Sequence, residues 1–399
     1  MLQCLKRLPD LARDLEGDSL YEEIFENDAD NINVRPALIY EAKRLAALPA
    51  PAKLSHEDEQ ILRVVFRLIP RRYTMAIGIN FKRRPPLKLL DQYQVNIKSD
   101  TPFKSWCRLQ QSMYRCRKGW PTGVHPRTGD PLGSMLAKTV EPETNFLSTA
   151  IFAEVEKRLQ KDNREEHDNI ETKRLFQNML TSQTLCFNLF IPMLLDYGMA
   201  TALWKPYIPG IEAINEIKIE HSPGRLDCER GTGDKSAFDA CLFYTHLDGK
   251  CGVVAIEVKW TEPFSKPAGD PLPRHIELQQ KLYNEDGWTK AREMPTQQLW
   301  RTHLLAECLR TDKRPHITYL VLYAEADEDC SKLLPGYRNC LALSSSETPR
   351  FASVTLEDFV DRANKSALAP EHKTWLDKFH ERYLDWSAVE TAVQELRAT

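Results

Sequence analysis

The sequence predicts an α/β protein, because its periodicity changes from helical to strand-like and back in the order helix–strand–strand–strand–helix–strand. Three segments alternate between apolar and polar residues, at 213–220, 238–246 and 253–260. The last two flank Leu-Asp-Gly, which predicts a β-hairpin. A helix is then predicted over residues 296–309 and a further strand over residues 316–323.

Length and composition limit the classes of protein to consider. The 399 residues carry 54 Lys+Arg and 57 Asp+Glu, and 42% of them are hydrophobic. That apolar share can bury a large core, which disfavours wholesale disorder. The 16 glycines are too few for a collagen-like chain, and no internal repeat is visible. A chain of this length is expected to contain more than one domain or a core with extensions. We predict an N-terminal region over 1–140, a core over 141–330 and a C-terminal helical extension over 331–399.

The sequence also predicts a cytoplasmic protein without a membrane segment. The longest near-apolar run, residues 185–195, contains Asn188 and Pro192 and is far shorter than the ~20 residues of a spanning helix. The first residues lack the continuous apolar stretch of a secretory signal. Ten cysteines form no CxxC pair and no cluster at zinc spacing, which predicts reduced thiols.

Helices are predicted on both sides of a proline-rich segment in the first half of the chain. The first covers residues 55–69. Residues 70–140 contain many prolines and no clean period, which predicts loops with short strands. Helical spacing returns over 147–159, and another helix is predicted from residue 170 to 191, ending at Pro192.

Positive charge is concentrated in one segment. Fifteen basic and two acidic residues lie between Arg63 and Arg127, although the whole chain carries a formal charge of −3. Aromatic residues are interleaved with this charge, a mixture that suits phosphate contacts combined with base stacking. The alternative is a solvated basic face that neutralises an acidic neighbouring domain. The candidate nucleic-acid contacts are Arg71, Arg72, Lys82, Arg83, Arg84, Arg115, Arg117 and Lys118.

The strongest candidate for chemistry is Asp239 on the first hairpin strand with Glu257 and Lys259 on the second. Glu-x-Lys alone is uninformative, because the chain contains it five times. A three-residue turn with Gly249 in the left-handed position would place Asp239 opposite Glu257 and Lys259 on the same face. A two-residue turn would shift the register by one and turn Asp239 to the other face.

Such a group of side chains is suited to phosphodiester hydrolysis. Two carboxylates about 5 Å apart repel each other unless a cation lies between them. Oxygen ligands suit Mg²⁺ or Mn²⁺, and a bound divalent ion activates water. Lys259 would hold the attacking water or stabilise negative charge. The alternative is an ordinary strand with Glu257 and Lys259 on a solvated face.

These residues resemble the PD-(D/E)xK nuclease superfamily, whose restriction-endonuclease-like fold has an αβββαβ core. The resemblance covers roughly residues 170–325, and the segments 180–190, 256–262 and 298–307 are similar to a poorly characterised bacterial group of that superfamily. The motif proline is absent, since Phe238 precedes Asp239. The resemblance implies a central mixed sheet flanked by helices, with N- and C-terminal extensions.

The resemblance also implies site residues, a cofactor and partners. Asp239 and Glu257 would bind Mg²⁺ or Mn²⁺, Lys259 would be catalytic, and Gln298 would support them, with Gln279 as a rival. Glu154 is a further candidate for the site, because some members of the superfamily use a glutamate from the first core helix. The favoured alternative is that Glu154 is an ordinary solvent-exposed side chain. The implied substrate is DNA, with RNA as an alternative, and the implied role is bacterial restriction or anti-phage defence. Homo-oligomers or defence-system partner proteins are compatible with that role, as is a non-catalytic protein that binds nucleic acid.

Two other sequence features do not indicate a catalytic or binding site. The segment GTGDKS, residues 231–236, lacks a glycine immediately before its lysine and precedes a strand, so it does not form a phosphate-binding P-loop. It is better explained as a loop that leads into the Asp239 strand. The ten histidines show neither HExxH nor paired ligand spacing.

Overall fold

The computed structural model describes residues 79–160, 170–224, 226–264, 270–293, 295–342 and 351–398. All of them belong to one compact unit, Ile79–Thr399. The region boundaries predicted after residues 140 and 330 lie inside this unit and stay predictions. The helix predicted over 55–69 lies outside the described residues.

The segment predicted as loops with short strands contains a long helix. The elements in this part are α1 (Leu87–Gln92), α2 (Pro102–Arg117), β1 (Thr122–Val124), β2 (Pro131–Leu136) and α3 (Thr149–Leu159). Every residue of α2 from Phe103 to Arg115 except Lys104 is buried. Buried polar residues such as Gln110, Gln111 and Ser112 interrupt the apolar spacing of α2, and the prediction of loops was wrong there. The helix predicted near 147–159 is confirmed by α3.

The helix predicted up to Pro192 is in fact two helices, α4 (Thr172–Gln177) and α5 (Ser182–Leu195), followed by α6 (Tyr197–Trp204). The Thr181 hydroxyl caps α5 by accepting from the Gln183 N–H. Pro192 lies inside α5, although it has no N–H to donate to the Asn188 carbonyl. The indole Nε1 of Trp375 donates to that carbonyl instead, at 2.9 Å. A tertiary hydrogen bond therefore allows the helix to continue past the proline.

A five-stranded sheet forms the centre of the fold. It comprises β3 (Ile211–His221), β4 (Phe238–His246), β5 (Cys251–Lys259), β6 (His316–Tyr323) and β7 (Phe351–Thr355), in that spatial order. β3–β4 and β4–β5 pair antiparallel, whereas β5–β6 and β6–β7 pair parallel. Between β5 and β6 lie α7 (Pro273–Leu282), α8 (Gly287–Arg292) and α9 (Gln297–Cys308). The predicted α/β class with a mixed sheet flanked by helices is confirmed.

The C-terminal region is not purely helical. It contains α10 (Glu328–Arg338), then β7, and then α11 (Leu356–Lys365), α12 (Pro370–Tyr383) and α13 (Ser387–Ala398). β7 pairs parallel with β6 through Tyr319↔Phe351 to Tyr323↔Thr355 and so completes the sheet.

Both faces of the β4–β5 hairpin are buried. One face carries Ala240, Leu242, Ile256 and Val258, none more than 1% exposed. The other face packs its apolar residues against α9 in one core cluster. A charged side chain on that second face must therefore be paired, or must bind a ligand, to offset its desolvation.

In the described part of the chain, no single helix combines the length and apolar character needed to cross a bilayer. Only α5 and α6 together reach that length, and they are bent by 114° relative to each other.

Candidate active site

The β4–β5 turn sets the register of the site. It consists of Leu247, Asp248 and Gly249, with the Gly249 N–H donating to the His246 carbonyl at 2.8 Å. Gly249 has φ +80°, a conformation that favours glycine. The strands pair from Ala240↔Ile256 to Thr245↔Cys251. The predicted three-residue turn is therefore confirmed, and one further step of this register places Asp239 opposite Glu257.

Four residues singled out from the sequence come together at this end of the hairpin. Lys259 Nζ lies 2.9 Å from Glu257 Oε1 and donates to Gln298 Oε1 at 3.0 Å. Gln298 Nε2 donates to Glu257 Oε1 at 2.7 Å. Asp239 Oδ2 accepts the Val258 N–H at 2.6 Å, which ties Asp239 to the strand that carries Glu257 and Lys259. Glu257 and Lys259 are each 5% exposed, so their ion pair is shielded from water.

Burial and charge shift the pKa values of this group in useful directions. Burial, followed by the charges of Glu257 and Glu220, raises the pKa of Asp239 well above its usual value. Burial alone would lower the pKa of Lys259, but the charges of Glu257 and Asp239 outweigh it and raise that pKa. Lys259 is therefore an ammonium ion at neutral pH, whereas burial and the neighbouring carboxylates favour the protonated form of Asp239.

Glu220 is a third carboxylate that sequence reasoning missed. The pairs Ile219↔Ala240 and His221↔Phe238 place Glu220 across from Asp239. Its φ of +54° is unusual for a side chain other than glycine. Arg158 donates to the Glu220 carbonyl at 3.2 Å and thereby holds this backbone. Simple alternation along β3 marks Glu220 as an ordinary polar strand residue, so only the strand pairing shows where it lies.

A buried network around Asp234 holds the loop before β4. Asp234 Oδ2 lies 3.1 Å from both His275 Nε2 on α7 and Arg301 Nη1 on α9. Its other oxygen accepts from the Ser236 N–H at 2.8 Å. Burial alone would raise the pKa of Asp234, but the hydrogen bonds from His275 and Ser236 outweigh it and lower that pKa. The GTGDKS loop thus links the start of the Asp239 strand to the helix that carries Gln298.

The carboxylates fit a hard divalent cation. In the part of the chain that the structure describes, protein hydrogen bonds reach Asp239 Oδ2 and Glu257 Oε1 but not the second oxygen of either group. A cation between those free oxygens would offset the burial and the carboxylate repulsion that together raise the pKa of Asp239. An all-oxygen donor set suits Mg²⁺ or Mn²⁺ better than zinc.

The rival supporting residues lie elsewhere. Gln279 is buried in α7, and its Oε1 has no hydrogen-bond partner among the described residues. Glu154 on α3 pairs with Lys157, one helical turn along. Of the three candidates, Gln298 is the one that contacts Glu257 and Lys259.

Two of the basic residues proposed as nucleic-acid contacts have structural partners instead. Arg115 is buried and donates to the Gly133 carbonyl at 2.9 Å and to the Trp120 carbonyl. Arg84 donates to the Ile97 carbonyl at 2.8 Å. These guanidiniums hold loops together, because buried carbonyls need donors.

The other basic candidates within the described residues are exposed. Arg83 and Arg117 are on the surface. Lys82 lies 3.6 Å from Glu328, and Lys118 lies 2.9 Å from Glu381. Arg71 and Arg72 lie outside the described residues. The exposed side chains remain available to phosphate, since surface ion pairs are weak.

One of three comparisons with known proteins finds a match, and it assigns the chain to a family. Residues 98–385 match the family profile of the PD-(D/E)XK nuclease superfamily. No curated protein and no solved structure matches the chain. The matched span includes Asp239, Glu257, Lys259 and Gln298 and covers well over half of the sequence. The chain belongs to the PD-(D/E)XK nuclease superfamily, and its mixed sheet with flanking helices is the restriction-endonuclease-like core predicted from the sequence.

Proposed function

We propose that this protein is a Mg²⁺- or Mn²⁺-dependent nuclease that hydrolyses phosphodiester bonds in DNA at Asp239, Glu257 and Lys259. The observation that carries the proposal is the shielded cluster of these residues with Gln298, in which one oxygen of each carboxylate has no hydrogen-bond partner among the described residues. Membership of a nuclease superfamily supports the reaction class. The exposed Arg83 and Arg117 support binding to a polyanion.

Each side chain has a distinct role in this proposal. Asp239 and Glu257 would hold the cation, which when bound activates water and stabilises charge on the phosphate. The neighbouring carboxylates raise the pKa of Lys259, so in this proposal its ammonium group would orient the attacking water or stabilise the developing anion rather than remove a proton. Gln298 bridges Glu257 and Lys259 and fixes their orientation.

A panel of substrates tests the proposed activity. Plasmid, linear duplex DNA, single-stranded DNA and RNA are each incubated with Mg²⁺, Mn²⁺ or EDTA. We expect DNA products with either metal and none with EDTA. Cleavage of RNA but not DNA would assign the same site to RNA. Salt-sensitive binding without any metal-dependent product would show a non-catalytic protein instead. A role in restriction or anti-phage defence stays a prediction from the resemblance.

Substituting Gln298 tests how much its bridging amide contributes. We expect Gln298→Ala to slow cleavage about 10–100-fold, because Glu257 and Lys259 lose the group that orients them. The matched control is Gln297→Ala, which removes a buried amide on the same helical turn whose Oε1 has no partner among the described residues. Single-turnover rates at saturating Mg²⁺ would measure both. Equal losses in the two variants would contradict a specific role for Gln298.

A further inference from the structure

A second cluster of metal-ligating side chains lies at the other end of the β4–β5 hairpin. His246 is the last residue of β4, Asp248 lies in the turn, and His316 begins β6. Asp239 and His246 are seven residues apart on one strand, so the two clusters are separated by about 23 Å. One metal ion cannot bridge that distance, and the two clusters are therefore independent sites.

The three side chains already converge. One carboxylate oxygen of Asp248 lies 2.9 Å from His246 Nδ1, and the other lies 2.9 Å from His316 Nε2. The imidazole rings stack with their centroids 3.7 Å apart. One ligand atom from each residue lies within 4.8 Å of the other two. Among the described residues this is the one group of His, Cys, Asp or Glu that meets such a criterion.

Two glycines beside this cluster leave room for aromatic side chains. A Cβ atom at Gly210 would lie 2.1 Å from His246 Nε2, and one at Gly252 would lie 2.1 Å from the ring of Tyr244. Glycine at both positions therefore leaves the space that His246 and Tyr244 fill. At Gly210 the φ of +88° favours glycine as well.

Tyr244 supplies an independent sign of a missing partner. It is 1% exposed, and its hydroxyl has no hydrogen-bond partner among the described residues. Tyr244 lies two residues before His246 on β4, so both side chains are on the same face of the sheet. A buried hydroxyl without a partner costs free energy. This hydroxyl therefore leaves one polar group unsatisfied on the face of β4 that carries His246.

We propose that His246, Asp248 and His316 form a second metal site, and that the ion it binds is Zn²⁺. Two imidazoles and one carboxylate with an open fourth position are a zinc donor set, whereas Mg²⁺ prefers oxygen ligands only. The imidazole lone pairs lie in the ring planes, so the stacked rings must rotate for both to face the ion. The ion would tie the β4–β5 turn to the start of β6.

Zinc titration of the full-length protein tests this site. The parent for all measurements is the Asp239→Asn variant, which removes one carboxylate of the other site, and Mg²⁺ is present throughout. We expect about one equivalent of Zn²⁺ to bind and to raise Tm. Co²⁺ should give a four-coordinate visible spectrum without thiolate charge-transfer bands, which excludes binding by the free cysteines.

Two further variants make the proposal falsifiable. Adding His316→Gln, or separately His246→Gln, should weaken Zn²⁺ binding by at least about tenfold and abolish the Tm shift. His316 is partly exposed and so is the safer variant for folding, which circular dichroism would confirm. Unchanged Zn²⁺ affinity in a folded His316→Gln variant, or no binding by the parent, would overturn the proposal. Neither result would alter Mg²⁺-dependent cleavage by the wild-type protein, so this inference and the proposed nuclease activity fail independently.

Discussion

Replacing Lys259 by alanine is expected to slow DNA cleavage by about 10²–10³-fold or more, while DNA affinity changes little. The reason is that Lys259 provides the shielded positive charge beside the two carboxylates, 2.9 Å from Glu257 Oε1. Single-turnover cleavage at saturating Mg²⁺ measures the rate, and binding in Ca²⁺ measures the affinity.

The control for this variant is Lys332→Ala. Lys332 also forms an ion pair with a glutamate, Glu328, at 2.6 Å, but on the exposed face of α10. Because exposed ion pairs contribute little, this variant should cleave at the wild-type rate. Lys259→Met serves as a second test, since it keeps the length of the buried side chain where alanine could destabilise the fold. Wild-type cleavage by a folded Lys259→Met variant would contradict the assigned role.

Asp239→Asn is expected to abolish metal-dependent cleavage and yet to stabilise the metal-free protein. The pKa of Asp239 is raised by burial and by the charges of Glu257 and Glu220. A raised folded-state pKa contributes stability that is present below the unfolded value of about 4 and is lost as pH rises through the folded value. At pH 8 in EDTA, we therefore expect the variant to be more stable than wild type by about 1–2 kcal/mol.

Urea unfolding at pH 5 and pH 8 in EDTA measures this difference. The gap between Asp239→Asn and wild type should widen as the pH rises, and adding Mg²⁺ should stabilise the wild type alone, since only it keeps both carboxylates. Asp312→Asn removes an exposed carboxylate and should leave the stability profile unchanged. A variant less stable than wild type at pH 8 in EDTA would show that the two carboxylates do not repel each other.

The hairpin could be predicted because local signals agree there. Alternation along both strands and the Leu-Asp-Gly turn limit the hairpin to two registers. The three-residue turn is the one that the structure adopts, and it places Asp239, Glu257 and Lys259 on one face. Gln298 was identified through the family resemblance, which implies a glutamine on the helix after the Lys259 strand, and Pro295 marks the start of that helix. Asp239, Glu257 and Lys259 lie on one pair of neighbouring strands, so their placement depends on a single hairpin.

What the sequence could not show depends on distant contacts. Glu220 lies beside Asp239 only through the β3–β4 pairing, whose register shifts twice along the strand. His246 and His316 are brought together by the parallel pairing of β5 with β6, in which Gly252 lies next to His316. Arg115 was interpreted as a phosphate contact because charge alone does not reveal burial. Pro192 was interpreted as a helix end because the donor from Trp375 comes from a distant helix.

The position of a metal ion tests the central claim most directly. Crystals of the protein grown with Mn²⁺ would be examined by anomalous diffraction above and below the manganese absorption edge. We predict a manganese peak within about 2.5 Å of one oxygen each from Asp239 and Glu257, and no peak there in Asp239→Asn crystals. Full manganese occupancy elsewhere, with no peak between these two carboxylates, would contradict the assignment of this site as the catalytic centre.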